Sequence, residues 1–167
     1  MIFSKKNKEG NRAINLGFVD GVESYSKGTA VELSMDDKSQ YLIMKARIFK
    51  DKPIIKLKYS QILAVNVITE KEIIENNKSV VGRAVVGGVL LGPLGAIIAG
   101  MSGVGSKTKS NNHYFMVINY KSSTGEIKVL SLEILGASLH WSSFLKELRT
   151  KIDLNEISNV IEKEMYL

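Results

Sequence analysis

Residues 80–105 read VVGRAVVGGVLLGPLGAIIAGMSGVG, and from Ala84 to Gly105 they run for 22 positions without a charged side chain. Small residues recur at every fourth position, at Ala84, Gly88, Gly92, Ala96 and Gly100. On a helix that spacing stacks into one flat stripe, against which a second helix packs closely. How the chain accommodates this stretch decides the fold, because it interrupts what otherwise reads as a series of short strands.

As one straight helix, the 22 residues would reach about 33 Å, enough to cross a hydrocarbon core of about 30 Å. A single crossing would put the strands before Ala84 and those after Lys107 on opposite sides of a membrane, whereas one sheet needs them side by side. Gly92-Pro93-Leu94-Gly95 lies at the midpoint, where glycine closes one helix and proline opens the next. The expectation is a helical hairpin over residues 80–106, with arms of about 9 to 10 residues, each near 14 Å long. Arg83 at one base and Lys107 and Lys109 at the other are suited to anionic headgroups. Three readings stay open. The hairpin folds back on its own domain, or it packs against other copies through this glycine-zipper stripe, or it enters a membrane surface shallowly.

Working outward, the flanks alternate as strands do. Ala30–Met35 and Tyr41–Ala46 form a hairpin around the turn Asp36–Ser39. After Pro53, Ile54–Tyr59 separates into apolar and basic positions, with Lys56 and Lys58 on one side. A turn at Ser60-Gln61 leads into the β-branched run Ile62–Thr69. Glu70–Lys78 reads as a continuation of that strand or as a loop. Beyond the apolar stretch, His113–Tyr120 and Glu126–Ile134 form a second hairpin across Lys121–Gly125.

Trp141, Phe144, Leu145, Leu148 and Ile152 fall on one helical face, with Ser138 as N-cap. Asp153 and Glu156 have capping-box spacing and predict a separate terminal helix over 153–167. Residues 1–27 read as a flexible basic segment with Lys5, Lys6, Lys8 and Arg12, followed by one strand around Leu16–Ser24. The expected organisation is a domain over 28–152 interrupted by the insertion.

The run Ile54–Val65, the hairpin His113–Ile134 and the helix near Ser138 resemble the bacterial pleckstrin-homology-like (PH-like) and GRAM-like domains from about Gly28 to Ile152. That resemblance implies an α+β fold: a mostly antiparallel, partly open β-barrel or sandwich closed by a C-terminal helix. It implies a platform for lipids or proteins, with no catalytic residues to carry over. The glycine-rich insertion departs from the simplest members, so the usual lipid pocket is not assumed to be the working site.

The chain has 167 residues, a formal net charge of +6 and no cysteine, which excludes disulfides and thiolate metal sites and fits a cytoplasmic protein. The surplus of bases favours anionic surfaces. Aromatic residues make up only 7%, without the basic and aromatic array that stacks bases, which argues against nucleic acid. Its richness in Ile, Lys, Asn and Ser points to an AT-rich bacterial or phage genome. Gly100–Thr108 imitates a phosphate-binding loop, but Ser106 separates the last glycine from Lys107, so the lysine misses its place. His113 and His140 lack a carboxylate at metal-ligand spacing, and no serine lies in a nucleophile elbow.

These features predict a non-enzymatic binding and assembly module without metal or cofactor, a homo-oligomer that is cytoplasmic or peripheral on the inner membrane face. Ala84, Gly88, Gly92, Pro93, Ala96 and Gly100 would form the contact hairpin. Lys56, Lys58, Arg83, Lys107 and Lys109 would meet an anionic membrane surface. The alternative is a soluble interaction domain that binds a protein partner through a sheet edge or its C-terminal helices.

Overall fold

The computed structural model describes residues 6–77, 85–101 and 113–165. Seven strands form one antiparallel sheet: β1 (Arg12–Asp20), β2 (Ala30–Asp36), β3 (Tyr41–Ala46), β4 (Ile55–Lys58), β5 (Ile62–Thr69), β8 (Tyr114–Lys121) and β9 (Ile127–Ile134). Between β5 and β8 lie helix α1 (Glu70–Asn77), the short strands β6 (Val85–Val86) and β7 (Val89–Leu90), and helix α2 (Leu94–Met101). Helix α3 (Trp141–Met165) ends the described chain. The spatial order is β4-β3-β2-β1-β9-β8-β5, so two strands adjacent in sequence, β4 and β5, are the two edges. A single 3-10 turn, Tyr59–Gln61, joins them. The sheet therefore curls until its edges approach without pairing, which is the partly open barrel the sequence predicts.

β1 corrects the expected flexible segment over 1–27. It begins at Arg12 instead of near Leu16 and pairs with both β2 and β9. Ile14, Leu16 and Phe18 enter the barrel core, while Val19 joins a second cluster on the outer face. With both faces covered, the strand loses the alternation that marks a half-buried one. Its basic start is neutralised too, since Arg12 bonds to Glu147 and, at 2.6 Å, to the Ser143 hydroxyl.

Residues 70–77 are helical, neither strand nor loop. The Thr69 hydroxyl accepts from the Glu72 amide at 3.2 Å, and the Glu72 carboxylate accepts from the Thr69 amide at 2.9 Å. This reciprocal cap satisfies donors of the first turn, and it lets Ile73 reach the outer cluster.

Phe144, Leu145, Leu148 and Ile152 of α3 plug the barrel core, as their spacing predicts. Trp141 is half-buried and lies 6.3 Å from the Tyr114 ring. Ser138 is not the N-cap. Its buried hydroxyl accepts from the Leu135 amide at 2.9 Å and donates to the Asn15 carbonyl, which fixes the chain before the helix. The first helical bond runs instead from the Phe144 amide to the His140 carbonyl, 3.0 Å. Nor does a second helix begin at Asp153. No Gly or Pro interrupts Trp141–Met165, so α3 continues through the acidic pair read as a cap.

α3 is tied to the sheet through Asp37, which accepts from the Tyr59 hydroxyl at 2.9 Å and from Lys151 at 2.5 Å. Burial, reinforced by the Asp37 carboxylate, holds the Tyr59 phenol well above its ordinary ionisation range, and burial raises Tyr25 and Tyr120 too. The folded state therefore favours the neutral phenols. Their contribution is complete below the ordinary tyrosine value of about 10 and is lost as pH rises above it. Urea unfolding measured across this range should show stability falling above about pH 10. Tyr59→Phe should flatten part of that fall while costing about 1 kcal/mol at neutral pH through the lost hydrogen bond.

Candidate functional site

The insertion packs on the outer face of the sheet beside the β5 edge. Its first part is a β-hairpin and not a helical arm. β6 pairs with β7 across Gly87 and Gly88, whose φ values are +56° and +81°. Two successive left-handed residues make the turn that matches strand twist, and Gly-Gly between apolar pairs is a sequence signature for it. Gly92, at φ +58°, turns the chain again, and the Pro93 carbonyl then accepts from the Ile97 amide at 3.1 Å to open α2.

A right-handed helix cannot run through Gly88 and Gly92 in these conformations. The four-residue recurrence therefore does not form a stripe here. Gly88 sits at a turn, Gly92 backs onto Val129, and only Ala96 and Gly100 share a helix. Pro93 opens that helix, as expected of it. Ala84 lies outside the described residues.

What the insertion buries is continuous. Val86, Val89, Leu91, Leu94 and Ile98 close over Ile68, Ile73, Phe115 and Val117 to form the second core. Residues 85–98 thus fold back on their own domain. Val85, 59% exposed, and the exposed Gly88, Gly92, Pro93 and Ala96 form the outward side.

Two asparagines on the supporting strands hold the hairpin. Asn119, 4% exposed, accepts from the Leu90 amide at 2.7 Å and donates to the Leu90 carbonyl at 2.9 Å, so one carboxamide completes both polar groups of that residue. Asn66 donates to the Gly87 carbonyl at 2.8 Å and accepts from the Arg149 guanidinium at 2.5 Å. Arg149 also donates to the Val65 carbonyl at 3.1 Å. α3 is thereby linked through Arg149 and Asn66 to the turn of the insertion. A shallow groove of about 280 Å³ opens at this junction, between Leu63, Gly87, Arg149 and Asp153. The sequence reading passed over Asn66, Asn119 and Arg149, although an asparagine inside the apolar run MVINY is a visible sign of a buried polar contact.

The basic candidates divide. Lys56 and Lys58 are both exposed on β4, alternating with buried Leu57. They lie on the edge strand opposite to the one the insertion adjoins. Lys56 also contributes, after the dominant Ser39 hydrogen bond, to holding the Asp36 carboxyl below its usual range. Arg83, Lys107 and Lys109 lie outside the described residues. No cluster of three His, Asp or Glu side chains suited to a metal occurs among the described residues. His113 pairs with Glu133 at 2.8 Å across β8 and β9 and stacks on Phe115, while His140 stands at the start of α3. A second depression of about 580 Å³, beside Asp20, Glu23, Lys27 and Lys128, is of mixed charge. No helix among the described residues is long and apolar enough to cross a membrane.

Replacing Asn119 by Ala would strand both polar groups of Leu90 under the insertion. The expected loss is about 2–4 kcal/mol in urea unfolding. Hydrogen exchange should quicken at Leu90 and its neighbours, with β1 and β9 still protected. Unchanged exchange at Leu90 would show that the asparagine does not anchor the hairpin.

A family model described as a glycine zipper containing PH domain matches residues 22–144, well over half of the chain. No curated protein and no solved structure matches it. The match spans strands β2 to β9 and the glycine-rich segment docked on them, and it ends at Phe144 in the first turn of α3. The chain belongs to the family of glycine zipper containing PH domains.

Proposed function

We propose that the protein is a non-enzymatic PH-like binding module that self-associates through the outward side of its glycine-rich insertion. The observation that carries this reading is the uncharged exposed surface of Val85, Gly88, Gly92, Pro93 and Ala96, on a chain in which 24% of residues are charged. Small side chains leave a flat surface on which two backbones approach closely, and an uncharged one gives up little hydration when covered.

The insertion makes this contact while docked. Lifting it off into lipid would re-bury its own apolar side chains but uncover five that it leaves behind, Val19, Ile68, Ile73, Phe115 and Val117. At about 2 kcal/mol each that is about 10 kcal/mol, as large as the whole stability of an ordinary domain. Release into a membrane is therefore the weaker form of the proposal. The rival reading, a partner protein docking along the β5 edge, draws on half-exposed Leu63 beside the Arg149 groove.

Gly88→Leu is a poor probe, because a side chain at φ +81° strains the turn by itself. Ala96→Arg is cleaner, since it keeps the helix and adds charge at the exposed position. In size-exclusion chromatography with light scattering, the wild type should run as a defined oligomer at micromolar concentration without detergent. Ala96→Arg should weaken it at least about tenfold with an unchanged melting temperature. A monomeric wild type would sink the proposal.

A further inference from the structure

Helix α3 reverses its polarity at Ile152. Up to that point Phe144, Leu145, Leu148 and Ile152 enter the barrel core, while Lys146 and Thr150 are exposed on the other side of the helix. Continued at helical spacing, the core side becomes Asn155, Glu156, Asn159 and Lys163, and the outer side becomes Leu154, Ile157, Ile161 and Met165. We infer that residues 153–165 are an acidic arm that two copies of the chain exchange, the arm of each laid against the basic end of the other's barrel. The inference does not depend on any role of the insertion.

The arm has no way to turn its apolar side toward its own barrel. α3 is one continuous helix without Gly or Pro, so the faces set by the core residues hold to its end. Little barrel is left beside the arm either. The helix starts where the Trp141 and Tyr114 rings meet, donates from Arg149 to the Val65 carbonyl at 3.1 Å, and reaches Asp37 through Lys151 at 2.5 Å. Asp37 lies in the turn between β2 and β3, and its partner Tyr59 in the turn between β4 and β5. The 13 residues after Ile152 carry the helix on for about 20 Å. A helix of that length is marginal in water unless one face is covered.

Charge selects what covers it. Residues 153–165 hold Asp153, Glu156, Glu162 and Glu164 against Lys163, whereas residues 1–152 hold all but one of the chain's 23 bases and 13 of its 17 acids. Anionic lipid repels such an arm, and two arms repel each other. The end of the barrel that α3 reaches is its complement. There the Gln61 side chain donates to the Lys121 carbonyl at 3.1 Å and accepts from the Lys58 amide at 3.0 Å, and the Tyr59 amide donates to the Gln40 carbonyl at 3.0 Å. These bonds gather Lys38, Lys58 and Lys121, all exposed, with exposed Lys56 two residues up β4. Of the neighbouring acids, Asp37 is held by Lys151 and Tyr59, which leaves Asp36 and Glu126 against four lysines. Half-exposed Leu63 adds apolar surface beside the turn. Because the arm leaves from this same end, a two-fold axis sets each arm against the other copy's lysines and makes both contacts at once.

The test is size-exclusion chromatography with light scattering on the full chain, every protein carrying Ala96→Arg so that the outward side of the insertion is blocked. That chain should still form a dimer at micromolar concentration. Ile157→Ser with Ile161→Ser should weaken the dimer at least about tenfold and leave the melting temperature of the barrel unchanged. Glu156→Lys with Glu164→Lys should weaken it by about tenfold or more, and so should Lys56→Glu with Lys58→Glu. Mixed together, the two charge-reversed proteins should regain a dimer with one copy of each, since every arm then meets the opposite charge. An Ala96→Arg chain that runs as a monomer overturns the inference without touching the insertion reading. A dimer that ignores the serines overturns it too, as does a mixture that stays monomeric. A dimer lost to the serines but kept through the lysine reversal would mean that the arms pair with each other, which overturns the reciprocal contact.

Discussion

Three residues, Tyr59–Gln61, carry the chain from one edge of a seven-stranded sheet to the other, and most of the architecture follows from that short link. A flat sheet of this width would hold its edges far apart, so β4 and β5 are brought near only by strong curling. The link is pinned at both sides. The Gln61 side chain accepts from the Lys58 amide and donates to the Lys121 carbonyl, and the Tyr59 amide bonds to the Gln40 carbonyl. Tyr59 itself is buried in the barrel and reaches Asp37, which in turn holds Lys151 of α3. The turn that closes the sheet therefore also seats the helix that plugs it.

The curled sheet has two covered faces. Inside, α3 completes one core; outside, the insertion completes another over β5 and β8. A segment without charge was free to be covered by a second molecule, by lipid or by its own domain. The positive φ values of Gly87, Gly88 and Gly92 and the carboxamide of Asn119 favour its own domain for residues 85–98. The glycines serve chain reversal here more than close helix packing. A fourfold spacing of small residues carries no information about which of these two uses applies, because both want the same residue.

Much of the sheet was legible in the sequence. Ala30–Met35, Tyr41–Ala46 and Ile62–Thr69 stand where alternation and β-branching put them, to within a residue. β1 was harder, since burial on both faces removed its period and placed Asn15 and Gly17 among the core residues. The Thr69–Glu72 cap was written in the sequence and was obscured by the charges around it. Asp153 illustrates the opposite error, an acid with cap spacing in a helix that simply continues. Of the candidate contact residues, Lys56 and Lys58 share the exposed side of β4, and the strand order that sets β4 and β5 at opposite edges is something that spacing alone does not contain.

The family match starts at residue 22, after β1 has ended, although β1 lies between β2 and β9 at the middle of the sheet. A fragment cut at that boundary would lose the strand that contributes Ile14, Leu16 and Phe18 to one core and Val19 to the other. It would also leave β2 and β9 facing each other across an empty lane, each with an unpaired row of backbone donors and acceptors. Such rows recruit strands from neighbouring molecules. Expression of that fragment would report on aggregation through torn strand edges and say nothing about the assembly of the intact protein.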